Sequence, residues 1–242
     1  MKKVIEWQHL GMIPYAQGLR IQKQLWEKRK EGHIPDRLLL LEHHPVFTMG
    51  RRDCSTDFIS SEKEIRGCGI DIVKTDRGGK VTYHGPGQLV GYFICDVAGL
   101  RMGIKHFVAA IEELCMRTLT PFGIVSTRDE EHPGLWVGRN KIVAIGLSVP
   151  EGITQHGFAL NVSTNLKAYR HIISCGIRER GVTSIEQLTK KIPPMKEVID
   201  HLISSAGEVL GHEFLMIDSP AQAETKVGKP FSTAEFPSEG SS

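Results

Sequence analysis

The chain has 242 residues, 40% of them hydrophobic and 24% charged, and a formal net charge of +2. A chain of this length can bury a core without disulfide or metal cross-links, and its balanced charge argues against a general nucleic-acid-binding protein. The five cysteines form no Cys-x-x-Cys pair, and no stretch reaches the roughly 18 apolar residues of a membrane span, so we expect a cytoplasmic protein with reduced thiols and no membrane contact.

Apolar residues at helical spacing predict three long helices. They lie at residues 15–30, 103–120 and 195–210. A short fourth helix should follow Thr183, because Thr183-Ser184-Ile185-Glu186 fits a capping box.

Strand-like runs lie between the helices, with a hairpin turn at residues 138–140. The runs are residues 37–43, 46–49, 71–75, 80–83, 89–97, 124–127, 135–137, 141–149 and 156–162. Because they come in blocks instead of alternating with helices, they favour an α+β fold with a mixed or antiparallel sheet and packed helices. We interpret residues 1–218 as one domain. Residues 219–242 lack a hydrophobic period, and we expect a disordered tail there.

One segment stands apart from ordinary strand sequence. Residues 77–92 read RGGKVTYHGPGQLVGY, in which glycines and a proline interrupt a strand-forming run. Glycine permits positive φ angles and a close approach of ligand to backbone. Polar side chains stand among these glycines, so the segment predicts a ligand channel walled partly by bare backbone.

This segment resembles the signature of the lipoyl(octanoyl) transferase family. Three further blocks follow in the same order as in that family and are similar to its catalytic-lysine strand, its next strand and its nucleophile loop. The three blocks are residues 138–146 (GRNKIVAIG), 156–162 (HGFALNV) and 173–177 (ISCGI). Together the four blocks cover residues 77–177.

The resemblance implies the fold shared by biotin and lipoate protein ligases, which is similar to that of class II aminoacyl-tRNA synthetases. It implies a single catalytic domain, a monomer, and an enzyme with no cofactor that takes part in protein lipoylation. The partners implied are octanoyl-acyl carrier protein, as donor, and the lipoyl domains of 2-oxoacid dehydrogenases and the glycine cleavage H protein, as acceptors.

The resemblance also implies a set of site residues. Cys175 would carry the octanoyl group as a thioester, and Lys141 would be the acid and base. The residues that would line the acyl site are Arg77, Gly78, Gly79, Lys80, Val81, Thr82, Tyr83, His84, Ala144, Ile145, Gly146, Gly157, Phe158 and Ala159.

The residue types suit this route. A thioester is already activated, and moving an acyl group between thiols is nearly isoenergetic, so no ATP is needed; the chain indeed has no P-loop sequence. A free thiol has a pKa of about 8.5 and needs a nearby cation or base to ionise. We expect Lys141, on an otherwise apolar strand, to supply it, and an apolar surround would favour its neutral amine.

Other interpretations stay open at this stage. Four cysteines, Cys54, Cys68, Cys95 and Cys115, are expected to be small buried residues. A metal site at His84 with His43 and His44 is disfavoured, because adjacent strand residues face opposite ways. Candidate oxyanion donors are the Gly176 amide and those of the 78–79 turn.

Basic residues could steer an acidic carrier protein. They are Arg51, Arg52, Lys74, Arg77, Lys80, Arg170, Arg178 and Arg180. The alternative functions are an ATP-dependent lipoate or biotin ligase, a transferase between protein lysines with its cysteine elsewhere, and a carrier-binding module without catalysis.

Overall fold

The computed structural model describes residues 4–54, 56–173 and 180–218. The proposed nucleophile Cys175 and the expected disordered tail, residues 219–242, lie outside the described residues. The helices are α1 (Tyr15–Lys30), α2 (Glu62–Gly67), α3 (Ile104–Leu119), α4 (Ile185–Thr189) and α5 (Met195–Leu210).

The strands of the described residues form two sheets. They are β1 (Val4–Ile13), β2 (Asp36–His43), β3 (Val46–Met49), β4 (Asp71–Lys74), β5 (Val81–His84), β6 (Gln88–Ile94), β7 (Thr127–Arg128), β8 (Gly134–Val137), β9 (Asn140–Ser148), β10 (Gln155–Asn161), β11 (Gly181–Val182) and β12 (Glu213–Met216). The large sheet has the order β12-β1-β2-β6-β10-β9-β8-β7, with β11 paired to β9, and the small sheet has the order β4-β3-β5.

The large sheet is mixed and lies between helices. Strand β1 pairs in parallel with both β12 and β2, whereas β2, β6, β10, β9 and β8 pair antiparallel in sequence. Helices α3 and α5 pack against one face and α1 against the other. The prediction of an α+β fold with a mixed sheet and packed helices is confirmed.

The run Leu38–Leu41 explains how one strand serves two cores. Side chains alternate across a strand, so Leu38 and Leu40 pack into the core under α3 and α5, while Leu39 and Leu41 face the α1 side. All four are fully buried. A continuous apolar run is therefore required here, since both faces of the sheet are covered.

The small sheet carries the glycine-rich segment. Strand β5 pairs antiparallel with β3, and Val81 and Tyr83 pack with Phe47 into a separate small core. The alternate side chains, Thr82 and His84, are buried on the opposite face. The small sheet thus has one face for its own core and one for the space above the large sheet.

Most predicted elements are present, with several corrections. The helix at 183 begins one residue later than expected, because Ser184 caps it and accepts a hydrogen bond from the amide of Gln187. The expected strand at 124–127 shrinks to Thr127–Arg128. Strands β1 and β12 and helix α2 were missed, although Ser61 and Glu64 form a capping box that signals α2.

Gly91 allows close packing in the middle of the large sheet. It pairs with Phe158 on β10, and a Cβ at this position would lie 2.2 Å from the Phe158 ring. The ring is 98% buried and packs against Phe93, so it has no room to move away. An aromatic ring covering a glycine on the neighbouring strand is a known way to fix register.

We predict that Gly91→Ala lowers the free energy of unfolding by about 1–3 kcal/mol, because it overpacks this contact. Urea unfolding followed by circular dichroism measures the change. The matched control is Gly67→Ala on α2, where a Cβ meets nothing within 4 Å. Equal stability of the two variants would contradict the packing argument.

Candidate active site

A narrow cavity lies between the α1 face of the large sheet and the small sheet; we call it the slot. The space between its walls is about 510 Å³, which includes the part that opens to solvent. The slot is lined by Tyr15, Arg77, Gly78, Gly79, Lys80, Val81, Thr82, His84, Tyr92, Lys141, Ala144, Ile145, Gly146, His156, Gly157, Phe158 and Ala159.

The segment Asp76–Lys80, which we call the strap, crosses over one end of the slot. The Gly78 amide donates to the Leu147 carbonyl over 2.9 Å. The Arg77 guanidinium is buried and donates to the side chain and carbonyl of Thr48 on β3. The strap is thereby tied to β9 on one side and to the small sheet on the other.

A bulge in β9 turns Lys141 into the slot. Trp136 on β8 pairs with Lys141, whereas its neighbour Leu135 pairs with Val143, so Ile142 is one residue too many. An extra residue reverses the alternation of side chains. Lys141 therefore shares a face with Ala144, three positions away, and the side chain is 94% buried.

Lys141 contacts a backbone carbonyl and an aromatic ring. Its Nζ donates to the Pro133 carbonyl over 3.2 Å and lies 4.7 Å from the centre of the Trp136 ring. The guanidinium of Arg180 lies 4.6 Å from the same ring and pairs with Asp129. The surround of Lys141 is thus less apolar than the sequence suggested, since a carbonyl and an aromatic face both stabilise a cation.

The two ends of the segment that holds Cys175 are fixed near the slot. On one side, the Ile173 amide donates to the carbonyl of Asp57 over 2.7 Å, and the Asp57 carboxylate pairs with Lys80 of the slot wall. On the other side, Val182 on β11 is the register partner of Lys141. Cys175 itself lies outside the described residues.

Buried polar rings make up the wall behind the slot. His43 donates from Nδ1 to the Ile13 carbonyl over 2.9 Å, and its Nε2 accepts from the Tyr92 hydroxyl over 2.7 Å. Tyr15 stacks on His84 with ring centres 5.8 Å apart. Burial lowers the pKa of His43 to about 4 and lowers that of His84, and it raises the pKa of Tyr15 to about 12. These rings are neutral at pH 7.

A hydrogen-bond network holds His84 in place. Its Nδ1 donates to the Gln88 side-chain oxygen over 2.7 Å. The Gln88 amide nitrogen donates in turn to the Tyr83 carbonyl and to Asn161. Gln88 and the backbone carbonyl of Tyr83, both in the glycine-rich segment, therefore hold His84 of the wall in position.

The structure gathers thirteen of the fourteen residues expected to line an acyl site around this one cavity, together with Lys141. Tyr83 differs: its ring contacts Phe47 and Tyr169 on the other face of β5. Strand alternation explains this, because Thr82 and His84 take the slot side. The role of the thirteen residues in acyl binding stays a prediction.

One of the expected oxyanion donors, the Gly78 amide, needs correction, and the Gly79 amide stays a candidate. The Gly78 amide is bonded to Leu147 and is not positioned as a donor to substrate. Gly176 lies outside the described residues.

The basic residues expected to steer an acidic carrier protein fall into two groups. Arg77, Lys80 and Arg180 have partners within the fold, and Arg178 lies outside the described residues. The side chains exposed on the surface are those of Arg51, Arg52, Lys74 and Arg170.

The cysteine expectation holds for three of four residues. Cys54, Cys95 and Cys115 are buried, but Cys68 is exposed at the end of α2. Of the histidines, His43 is buried beside His84 and His44 is exposed. Within residues 4–54, 56–173 and 180–218, no group of three His, Cys, Asp or Glu side chains is arranged to hold a metal ion.

Sequence reasoning missed several residues of the site. Tyr92 and His156 lie inside two of the quoted blocks, so their position was available as a signal. Tyr15 is contributed by α1, far from any block, and Trp136 precedes the catalytic-lysine block by two residues. Nothing local in the sequence marks these last two residues.

Comparison with known proteins assigns the fold to a family. The family model of the lipoyl protein ligase A/B catalytic domain matches residues 14–207. An octanoyltransferase from Alkaliphilus metalliredigens is 45% identical over 208 residues, covering 86% of this chain and 95% of that protein. Another from Caldicellulosiruptor bescii is 44% identical over 205 residues, covering 84% and 90%.

The chain belongs to the family of the lipoyl protein ligase A/B catalytic domain. The resemblance to the lipoyl(octanoyl) transferases that the sequence motifs indicated is confirmed.

Solved structures of two ligases show the same fold. Lipoate-protein ligase A bound with ATP superposes with a TM-score of 0.70 over 93% of each chain, at 16% identity. A biotin protein ligase from Aquifex aeolicus in complex with biotin and ATP gives 0.52 over 87% of this chain and 71% of that one, at 13% identity. The predicted biotin and lipoate protein ligase-like fold is confirmed. Among the described residues of this family member, no helix is long and apolar enough to span a membrane.

The buried histidines of the wall predict that the folded state of this family member loses stability at acid pH. An unfolded histidine has a pKa of about 6.5, whereas that of His43 is about 4 in the fold. The unfolded state therefore binds more protons between these values, and stability falls as the pH drops from about 6.5 to 4. We predict a loss on the order of 3 kcal/mol from His43 at pH 4, measured by urea unfolding at several pH values.

The control for this prediction is a pair of variants. His43→Gln should flatten the slope of unfolding free energy against pH between 4.5 and 6.5, whatever its absolute stability. His33→Gln replaces an exposed histidine and should keep the slope. The histidine explanation fails if both variants keep the wild-type slope.

Proposed function

We propose that this octanoyltransferase family member transfers an octanoyl group from octanoyl-acyl carrier protein to a lysine of lipoyl domains, through a thioester on Cys175. Lys141 moves the protons. The observation that carries the proposal is the placement of Lys141: a β-bulge turns it into a slot lined by small residues, and β11 brings the end of the Cys175 segment alongside it.

The first half-reaction exchanges one thioester for another. Lys141 takes the thiol proton of Cys175, and the resulting thiolate attacks the thioester carbonyl of the donor. The bond from the carbonyl carbon to the carrier sulfur breaks, and the ammonium of Lys141 returns the proton to that sulfur. Its bond to the Pro133 carbonyl and its contact with Trp136 hold the ammonium in place between these transfers.

The second half-reaction forms the amide. The acceptor lysine attacks as a neutral amine, a carbon–nitrogen bond forms, and the bond to the Cys175 sulfur breaks. Lys141 takes the proton from the amine and returns it to the sulfur, so the enzyme ends as it began. The energy of the thioester drives amide formation, and no ATP is consumed.

The names of the relatives favour this route over ATP-dependent ligation. Two relatives that are 44–45% identical to this chain are octanoyltransferases, whereas three ligases of known structure are 13–17% identical and share the fold alone. We also propose a cytoplasmic monomer. Its acceptors are the lipoyl domains of 2-oxoacid dehydrogenases and the glycine cleavage H protein.

Mass spectrometry tests the covalent step. Mixed with octanoyl-acyl carrier protein without ATP and quenched in acid, the wild-type protein should gain one octanoyl group on Cys175. Cys175→Ser should gain no octanoyl group, because the serine hydroxyl is a far weaker nucleophile than a thiolate. Lys141→Ala should slow acylation by at least about a hundredfold, the usual scale of general acid–base catalysis.

Two outcomes would overturn the proposal. Labelling that needs ATP would indicate a ligase. An octanoyl adduct on another cysteine of Cys175→Ser would show that the nucleophile is not Cys175. Cys68→Ser serves as the matched control, because Cys68 is an exposed thiol at the end of α2 and its loss should leave the adduct intact.

The Trp136 ring should position Lys141. A cation–π contact contributes about 0.5–2 kcal/mol, so Trp136→Leu should slow single-turnover acylation roughly tenfold while the affinity for the carrier changes little. Trp136→Tyr keeps an aromatic face and should recover most of the rate. A rate loss shared equally by both variants would indicate that the ring acts only through packing.

A further inference from the structure

We propose that the surface on both sides of α4 docks the carrier protein of the acyl donor, through a helix of that carrier which bears carboxylates beside apolar side chains. The inference rests on the octanoyl transfer proposed above and adds where its donor binds. Two neighbouring grooves carry the proposal, one basic and one apolar, and α4 lies between them.

The basic groove lies beyond the end of β10. Its walls are residues 163–165, a short 3₁₀ helix at Leu166–His171, and one side of α4. The charged side chains that line it are three cations and one carboxylate, namely Lys167, Arg170, Lys190 and Glu186. The whole chain carries a net charge of only +2, so this excess of positive charge is local.

The cations of the basic groove are not neutralised by the protein. Within the described part of the chain, no carboxylate forms an ion pair with Lys167, Arg170 or Lys190, and all three side chains are exposed. The Lys190 ammonium donates to the Gln187 carbonyl over 3.0 Å, which directs it without cancelling its charge. A groove with uncompensated positive charge attracts an acidic partner.

The apolar groove lies on the other side of α4. It is lined by the turn after α3, residues 121–125, and by residues 188–194. Val125, Leu188 and Ile192 stand in it with 85%, 38% and 65% of their surface exposed. Large apolar side chains that gather at one place on a surface mark an interaction site, whereas single ones do not.

Residues 184–194 therefore present cations to one groove and apolar side chains to the other. A helix that carries carboxylates on one face and apolar residues beside them is complementary to both grooves at once. A nucleic acid offers phosphates but no aliphatic side chains, and it would leave the apolar groove exposed to water. The surface thus fits an acidic protein, and an acidic carrier is the donor expected for the proposed reaction.

The basic groove is close to the lysine that moves the protons. The Thr183 amide donates to the Lys141 carbonyl over 2.9 Å, and the next residue, Ser184, caps α4. A hydrogen-bonded neighbour lies about 5 Å away, the next residue adds about 3.8 Å, and each helical residue adds about 1.5 Å. The Cα atoms of Ser184 and Lys190 therefore lie within about 9 Å and about 18 Å of that of Lys141.

This distance favours the donor over the acceptor as the protein that docks on α4. A carrier presents its thioester on a phosphopantetheine arm of about thirteen bonds, roughly 16 Å when extended. A carrier docked on α4 can therefore bring its thioester to Lys141. An acceptor lysine reaches only about 6 Å from its own backbone, so its domain has to sit at the mouth of the slot.

Calorimetric binding of acyl carrier protein that has its prosthetic arm but no acyl group tests the docking surface without turnover. Lys167→Glu/Arg170→Glu should raise the Kd about tenfold, because two attractions become repulsions. Ile192→Ser should raise the Kd about threefold through the apolar groove alone. Added salt should weaken the binding of the wild type more than that of the double variant.

The matched control is Lys23→Glu/Lys105→Glu, which makes the same change of charge at two exposed lysines on α1 and α3. Neither residue lines the basic or the apolar groove, so this variant should keep the wild-type Kd. The docking proposal is overturned if Lys167→Glu/Arg170→Glu binds the carrier as the wild type does, or if the control weakens binding equally.

A small donor without a carrier, the octanoyl thioester of N-acetylcysteamine, separates docking from catalysis. Lys167→Glu/Arg170→Glu should be acylated by this donor at the wild-type rate, and about tenfold more slowly by octanoyl-acyl carrier protein at a concentration below the Kd. Equal slowing with both donors would show a defect of the catalytic site. Slowing confined to the transfer to the lipoyl domain would show that the surface binds the acceptor. Either result overturns the docking proposal.

The proposed function and the docking proposal fail on different observations. If the wild type forms no octanoyl adduct from either donor, the proposed function fails. The docking proposal then depends on the carrier affinities alone.

Discussion

One extra residue in β9 sets the chemistry of this fold. Ile142 has no partner on β8, and the bulge it makes reverses the side-chain alternation of the strand. Without it, Lys141 would face the core beneath α3 and α5, where an ammonium without a partner would be very costly. With it, the same strand presents a lysine and two small residues, Ala144 and Gly146, to one cavity.

Buried polar groups stand behind a slot whose proposed ligand is an apolar chain. Its small side chains and bare glycine backbone make room for a chain. The wall behind them is made of histidine and tyrosine rings, in which His43 is bonded to Tyr92 and His84 to Gln88. Burial keeps His43 and His84 neutral. The wall can therefore be polar without bringing net charge to the ligand.

The sequence predicts the parts of this site that are local and leaves out those that depend on packing. The glycine-rich segment and the strands at β9 and β10 follow from turn residues and periodicity, and their motifs point to one cavity. Tyr83 was misplaced because a motif does not say which of two faces a residue takes; register against β3 decides that. Tyr15 reaches the slot only because α1 packs on the sheet, and no pattern near it reports this contact.

The electrostatics of the slot also bear on the choice between transferase and ligase, which share the fold. A ligase that forms an acyl-adenylate must neutralise phosphates, and it needs cations with capacity to spare. Among the described residues, each Lys or Arg that lines this slot already has a partner in the protein. Arg77 is bonded to Thr48, Lys80 is paired with Asp57, and Lys141 is held by Pro133 and Trp136. Asp57 compensates the charge of Lys80, whereas Thr48 and the Pro133 carbonyl are uncharged and fix the directions of Arg77 and Lys141 without cancelling their charge. Cations held in fixed directions by the protein are compatible with an uncharged thioester as substrate.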